Sequence, residues 1–207
     1  MKYLTVNKPE GSKEYDWADL TGDNVKVGGG YKHLVYQAGS NVQLVNMAEY
    51  CKSIIADGRE LITGNESGPL VVPELKDGNV YIAFKRELTS LDYAFRDCTS
   101  LQSVSEDLFS HNPGVTRFGQ TFSNCSALTA IPIGLFDNNK KAIIFTQTFS
   151  DCTSLRGESP YTMVDGRKTH LYERRFHPGL FATPSAYGCF SGCAGLTDYA
   201  QIPPDWQ

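Results

Sequence analysis

The chain has no surplus of basic residues: 19 Lys and Arg stand against 23 Asp and Glu, a formal charge of −4. Phosphate contacts need a clustered cationic surface, so a nucleic-acid partner is not expected. No window approaches the roughly 18 apolar residues of a membrane-spanning helix. The start, Met1 to Glu10, lacks the basic-then-apolar run of roughly 7–15 residues that marks a secretory signal. These absences read as a soluble protein with no membrane partner and no export address. Cysteine, at six in 207 residues, is too sparse for a disulfide scaffold.

Chemistry-bearing motifs are equally scarce. His33, His111, His170 and His177 are scattered, and neither G-x-S-x-G nor H-E-x-x-H occurs. Gly28-Gly29-Gly30 has no following Lys-Ser/Thr, so it reads as a turn rather than a phosphate loop. The carboxylates are spread through turns, leaving no pair to nominate for glycoside hydrolysis. The expectation is a non-enzyme with no catalytic, metal or cofactor residues. With 41% hydrophobic and 20% charged residues, the composition is that of a globular chain with a real core.

What is present is a repeat. Phe95-Arg96-Asp97-Cys98-Thr99-Ser100-Leu101 returns as Phe122 to Leu128, as Phe149 to Leu155 and as Phe190 to Leu196, each with Phe, Cys and Leu in the same places. The first two intervals are 27 residues, and the third is 41, or 27 plus 14 inserted. Val104 with Ile131, Leu108-Phe109 with Leu135-Phe136, and Phe118 with Phe145 follow the same period. A unit this short cannot bury its own apolar face, so neighbours must stack into one core. Twelve residues are expected as buried ladder positions: Phe95, Cys98, Leu101, Phe122, Cys125, Leu128, Phe149, Cys152, Leu155, Phe190, Cys193 and Leu196. The i,i+4 pairs Leu91–Phe95, Phe118–Phe122 and Phe145–Phe149 predict one helical turn before each cysteine. Leu101–Val104 and Leu128–Ile131 alternate as half-buried strands do.

The string F-x-x-C-x-x-L, with Ile131-Pro132-Ile133-Gly134-Leu135-Phe136-Asp137 after it, resembles the BspA-like leucine-rich repeat family over about residues 79–207. Such repeats are frequent in surface proteins of gut Bacteroidetes and their relatives. The resemblance implies a non-catalytic binding or adhesion scaffold and carries over no catalytic residue. Period and resemblance together predict an α/β solenoid, a short leucine-rich repeat array of about four coils.

Outside the repeats, residues 1–40 read as an N-terminal anchor and 41–84 as an N-terminal cap, with the array from 85 to 207. In the cap, Met47, Tyr50, Cys51, Ile54 and Ile55 recur at helical spacing, Asn46 and Glu49 resemble a capping box, and Asp57-Gly58 supplies a stop. Leu70–Leu75 and Val80–Phe84 read as two strands of a hairpin joined through Asp77-Gly78. The insertion, about 156–187, predicts a second hairpin around Asp165-Gly166-Arg167-Lys168.

The four repeat cysteines raise zinc or disulfides as readings, yet stacked positions point the same way rather than around one centre. Buried core thiols are the reading favoured. The basic cluster at 167–177, interleaved with aromatics, reads either as a solvated hairpin or as a contact for an acidic surface or glycan. Tyr161, Arg167, Lys168, Tyr172, Arg174, Arg175 and Tyr187 are the candidate partner contacts, and Trp206 either joins them or seals the last coil. The function expected is a structural and interaction protein. The first setting is a phage virion, as a capsid or tail decoration assembled in the host cytoplasm and held through residues 1–40. The second is a bacterial cell-surface or extracellular adhesin binding host protein or glycan. A chain starting near residue 41 is expected to fold but to lose its attachment.

Overall fold

The structure is a computed structural model that describes residues 31–62 and 65–207, together with a short antiparallel pair, β1 (Tyr3–Leu4) and β2 (Tyr15–Asp16). The rest of residues 1–30, most of the expected anchor, lies outside the described residues. The strands that follow are β3 (Lys32–Tyr36), β4 (Gly39–Val45), β5 (Cys51–Ala56), β6 (Arg59–Glu60), β7 (Leu70–Leu75), β8 (Asn79–Phe84), β9 (Leu101–Val104), β10 (Tyr161–Val164) and β11 (Arg167–His170). Sheet pairing is antiparallel throughout: a five-stranded sheet in the order β6-β5-β8-β3-β9, and two-stranded sheets β4-β7 and β10-β11. No described helix is long and apolar enough to cross a membrane.

The α/β solenoid expected from the period does not form. No α-helix occurs among the described residues. Helical structure is limited to 3-10 turns such as Ala48–Tyr50 and Leu171–Phe176, and the named sheets are small and antiparallel. The backbone supplies the reason. Tyr93, Gln120 and Gln147 have φ of 64°, 53° and 53°, and Asp97, Asn124 and Asp151 have 62°, 60° and 61°. A left-handed residue every fourth position interrupts any helix. What remains is a chain of tight turns, such as Ala94 N–H to Leu91 O at 3.2 Å and Cys98 N–H to Phe95 O at 3.1 Å. These turns bring every fourth residue to one side, as a helix would, so the i,i+4 spacing is satisfied without one. Of the two predicted repeat strands, Leu101–Val104 forms β9, whereas residues 128–131 do not form a strand.

Successive repeats are nevertheless in register with one another. Phe95, Asp97, Phe122 and Asn124 donate their backbone N–H to Thr121, Ser123, Thr148 and Ser150, at 2.8–2.9 Å. Parallel bridges connect Ser90 to Arg117, Arg117 to Ile144 and Ile144 to Ser185. The rings follow: Phe95–Phe122, Phe122–Phe149 and Phe149–Phe190 stack at 5.4, 5.4 and 5.6 Å with interplanar angles of 4°, 9° and 4°. Phe109–Phe136 and Phe118–Phe145 repeat the arrangement in two further columns. All twelve expected ladder residues are buried. Trp206 closes the column: its carbonyl accepts the Phe190 N–H at 2.7 Å and its ring lies 6.5 Å from Phe190. Pro203 and Pro204 just before it have no N–H to offer a further unit.

The cysteines belong to these columns. The thiols of Cys125, Cys152 and Cys193 donate to the carbonyls of Phe95, Phe122 and Phe149 at 3.1, 3.0 and 2.9 Å, each reaching into the preceding repeat. All six cysteines are free and buried. Burial pushes every thiol up, Cys193 to about 12.

In the cap, two further expectations are corrected. The helix expected near 47–55 is a 3-10 turn followed by β5, whose residues are buried on both faces and so show no strand alternation. β7 and β8 are strands as predicted, but they do not pair with each other. β7 joins β4 in its own sheet, while β8 runs between β3 and β5. At the turn between them, Gly78 has φ of 75°, and an added Cβ would stand 2.3 Å from the Tyr36 carbonyl oxygen, so only glycine fits.

The boundary expected at residue 40 also divides what the structure joins. β3 lies between β8 and β9, hence between cap and first repeat. Its Lys32 is buried and donates to Asp107 Oδ2 at 2.5 Å and Ser110 Oγ at 3.0 Å. One continuous apolar core runs from Leu34 to Trp206.

Two outcomes follow. A chain beginning at residue 41 lacks β3, exposes two strand edges and fails to unfold cooperatively in urea; a sharp transition at wild-type midpoint would contradict the placement of β3. Second, each buried thiol keeps its proton to higher pH than in the unfolded chain. That contribution is complete below about pH 9 and is lost as pH rises towards 12, by up to ~1.4 kcal/mol per pH unit per thiol. Urea midpoints measured from pH 8 to 10.5 therefore fall steeply above pH 9, and a flat profile would contradict the burial of the thiol column.

Candidate functional site

The inserted segment leaves the array after Arg156, whose N–H still donates to Thr129 O, and returns at Ser185, whose N–H donates to Ile143 O. Its hairpin forms as the sequence predicts. β10 and β11 pair from Tyr161↔His170 to Val164↔Arg167, and the turn residues Asp165 and Gly166 have φ of 48° and 76°. Two successive positive φ values are what a two-residue hairpin turn requires.

One face of the hairpin is anchored. Thr162 and Thr169 are buried, and Thr162 Oγ1 donates to Asp137 Oδ1 at 2.6 Å. Arg174, only 2% exposed, donates to Phe136 O and to Thr162 Oγ1, both at 3.1 Å, and stands 3.5 Å from Asn139 O. Its guanidinium also lies 4.5 Å over the Phe181 ring. This completes a column: Asn112 Nδ2 donates to Lys85 O, Asn139 Nδ2 to Asn112 O, and Arg174 then takes the Asn139 carbonyl. Among the described residues, no carboxylate is in ion-pair contact with it. Burial lowers the guanidinium to about 10, partly opposed by the Asp137 charge.

The insertion is also fastened to the C-terminal segment. Asp198, buried, accepts from the Ser159 N–H at 2.9 Å and the Ser159 hydroxyl at 2.5 Å. The His170 ring lies between Glu173 Oε2, 3.2 Å from Nδ1, and Asp198 Oδ2, 3.4 Å from Nε2 but outside hydrogen-bond geometry. Tyr172 stacks on His170 at 5.3 Å and meets Trp206 edge-on at 6.2 Å. Burial first, then the Asp198 and Glu173 charges, push the Tyr172 phenol up to about 12. Ser159 faces Asp198 rather than the imidazole, so these groups do not form a nucleophile–base pair.

The other face is open. Tyr187 and Phe176 are 73% and 67% exposed, and Met163 and Leu180 are also exposed. Arg167, Lys168 and Arg175 project into solvent, with Lys168 bonded to Glu158 at 2.5 Å and lying 4.9 Å over the half-buried Tyr161 ring. A groove of about 460 Å³ runs beside β11, with Arg167, Thr169, Phe176 and His177 in its lining.

Of the seven contact residues expected, five can be reached: Tyr161, Arg167, Lys168, Arg175 and Tyr187. Tyr172 and Arg174 are corrected, because both are buried and serve the fold, as does Trp206. Met163 and Leu180 were missed, and Phe176, one of the aromatics interleaved in the basic cluster, was not among the expected contacts. Met163 was legible as the outward neighbour of Thr162 on a predicted strand, and Phe176 as an aromatic just before the His177-Pro178-Gly179 turn. Among the described residues, no three His, Cys, Asp or Glu side chains converge as a metal site.

No protein-family model matches the chain, and neither a curated protein nor a solved structure matches it.

Replacing Arg174 by Ala removes its hydrogen bonds to the Phe136 carbonyl and the Thr162 hydroxyl and leaves a void where its stem packed, although each acceptor keeps its other partner. It is expected to cost about 2–4 kcal/mol, while Arg174→Met, which keeps the stem packing, costs about half as much. Denaturation midpoints check this, and equal losses for the two variants would contradict a role that includes both packing and hydrogen bonding.

Proposed function

We propose that this chain is a non-catalytic structural and interaction protein, a decoration on a larger assembly such as a phage particle, that meets its partner through the open face of the insertion. The observation that carries this reading is where the exposed apolar side chains fall. Eight large hydrophobic residues are exposed among the described residues; three of them, Met163, Phe176 and Leu180, belong to the insertion, and Tyr187, the most exposed, lies two residues past its return to the array. Leaving large aromatics in water is unfavourable unless a partner covers them, and aromatics with arginines are enriched where proteins meet.

The support beneath this face fits the same role. Stacked repeats joined by backbone hydrogen bonds hold the insertion still, and Arg174, Asp198 and Trp206 fasten it from below. A contact surface on a rigid base loses little conformational entropy on binding. The buried side chains of Thr162, Arg174, Ser159 and Asp198 are used in this anchoring. The repeat resemblance supplies the binding role, the phage particle is the setting proposed for it, and most of the attachment expected through residues 1–40 falls outside the described residues.

The reading is tested by placing a photo-crosslinking phenylalanine analogue at residue 176, at 187 and, as a control, at the exposed Val71 of the cap sheet, in the organism or particle that makes the protein. Crosslinks to one discrete partner from 176 and 187 but not from 71 are expected. Crosslinks confined to 71, or none from the insertion, would overturn the assignment.

A further inference from the structure

Resting on the proposed interaction surface, the arrangement of charge around β11 says what kind of partner fits it. The groove beside this strand is lined by two exposed cations, Arg167 and Lys168, with His177 half-buried, and Arg175 stands exposed against Phe176 of the lining. Two acids also line it, Asp165 and Glu173. Several of these charges are already engaged. Lys168 donates to Glu158 at 2.5 Å, and Glu173 accepts the His170 N–H at 2.8 Å and faces the same ring at 3.2 Å. Among the described residues, Arg167 and Arg175 have no carboxylate partner. Arg175 lies 4.9 Å over the exposed Phe176 ring, which holds its guanidinium in place and leaves its N–H edge turned to solvent. Two unspent guanidiniums thus face a single unspent acid, Asp165, on a chain whose overall charge is −4. With Glu158 counted, three cations and three acids leave the patch near neutral on an acidic chain, and Arg167 and Arg175 are its cations without an acid partner among the described residues.

The backbone adds a second requirement. Val164↔Arg167 flank a two-residue turn and form a hydrogen-bonded pair, so the next pair, Met163↔Lys168, is a non-bonded one. Lys168 therefore turns its N–H and C=O away from β10. His170, two residues on, does the same, and its N–H is the one taken by Glu173. β11 has no strand beyond it in its two-stranded sheet. An extended chain lying along this side meets free backbone groups at Lys168, guanidiniums from Arg167 and Arg175, and an apolar surface at Phe176.

We propose that this groove takes an extended acidic peptide segment of a protein partner, with backbone pairing at Lys168 and carboxylates on Arg167 and Arg175. A strand-adding peptide draws affinity from main-chain hydrogen bonds and specificity from alternate side chains. Carboxylates spaced by two residues fall on one side of it. An acidic glycan would satisfy the guanidiniums but leave the strand edge unpaired, so the peptide is the better match.

The test uses fluorescence anisotropy with a fluorescein-labelled peptide of alternating Glu and Val, its Gln-for-Glu counterpart, and soluble polygalacturonate as an acidic glycan. The full chain is expected to bind the Glu peptide, with affinity falling as salt is raised. The Gln peptide and the R167Q/R175Q variant should each bind about tenfold more weakly. Both arginines are exposed, so an unchanged unfolding midpoint certifies the variant. Equal binding of the Glu and Gln peptides, undiminished binding by the variant, or binding of polygalacturonate with none of the peptide would each overturn the proposal. If crosslinks from residue 176 persist while the acidic peptide fails, this inference falls alone; if those crosslinks are absent, the interaction surface falls with it.

Discussion

Each repeat is held by the backbone of the next. Alternate residues, Phe95 and Phe122 among them, donate their N–H to carbonyls about one repeat ahead, which sets equivalent side chains over one another, so the Phe and Cys columns are consequences of that pairing. Ring stacking near 5.4 Å follows from units spaced by one backbone hydrogen bond. Such an array needs closing at both ends. At the start, β3 pairs with β9 of the first repeat, and Asn46, just after β4, donates to Ala94 O. At the finish, Trp206 and the two prolines before it do the same work.

The tight turns that make this pairing possible depend on left-handed residues at two places in every unit. Asp97, Asn124, Asp151 and Gly192 form one such column, all of types that tolerate positive φ. Tyr93, Gln120 and Gln147 form the other, where the side chain brings no such tolerance and only Gly188 relieves the strain. These residues are kept in an unfavourable conformation by hydrogen bonds on both sides. This is also why helical spacing in the sequence did not become helix.

The insertion shows how a projecting element is made rigid. Its inner side is polar yet buried, with Arg174 continuing the asparagine column and Asp198 held by Ser159. Nothing in the spacing of Arg167-Lys168 and Arg174-Arg175 distinguishes an anchoring arginine from an exposed one. The distinction is made by the Asn139 carbonyl, 35 residues away in sequence. Tyr172 likewise read as a contact because an aromatic in a basic, turn-rich segment looks exposed, whereas His170 and Trp206 enclose it. Met163 and Leu180 passed unnoticed because exposure is a property of what fails to pack against a residue.

The amino-acid sequence by itself determined the period, the twelve buried rungs, the two-residue turn at Asp165-Gly166 and the position of the insertion. Each of these follows from residue type at fixed spacing or from a local φ requirement. The tertiary structure alone decided that the units are turns rather than strand and helix. It also decided that β7 and β8 part company, that β3 ties cap to repeats, and that Arg174 and Tyr172 turn inward while Phe176 turns out. Those outcomes depend on which distant backbone groups need partners. A short apolar run such as β5, buried on both faces, is consistent with several local conformations until those partners are in place.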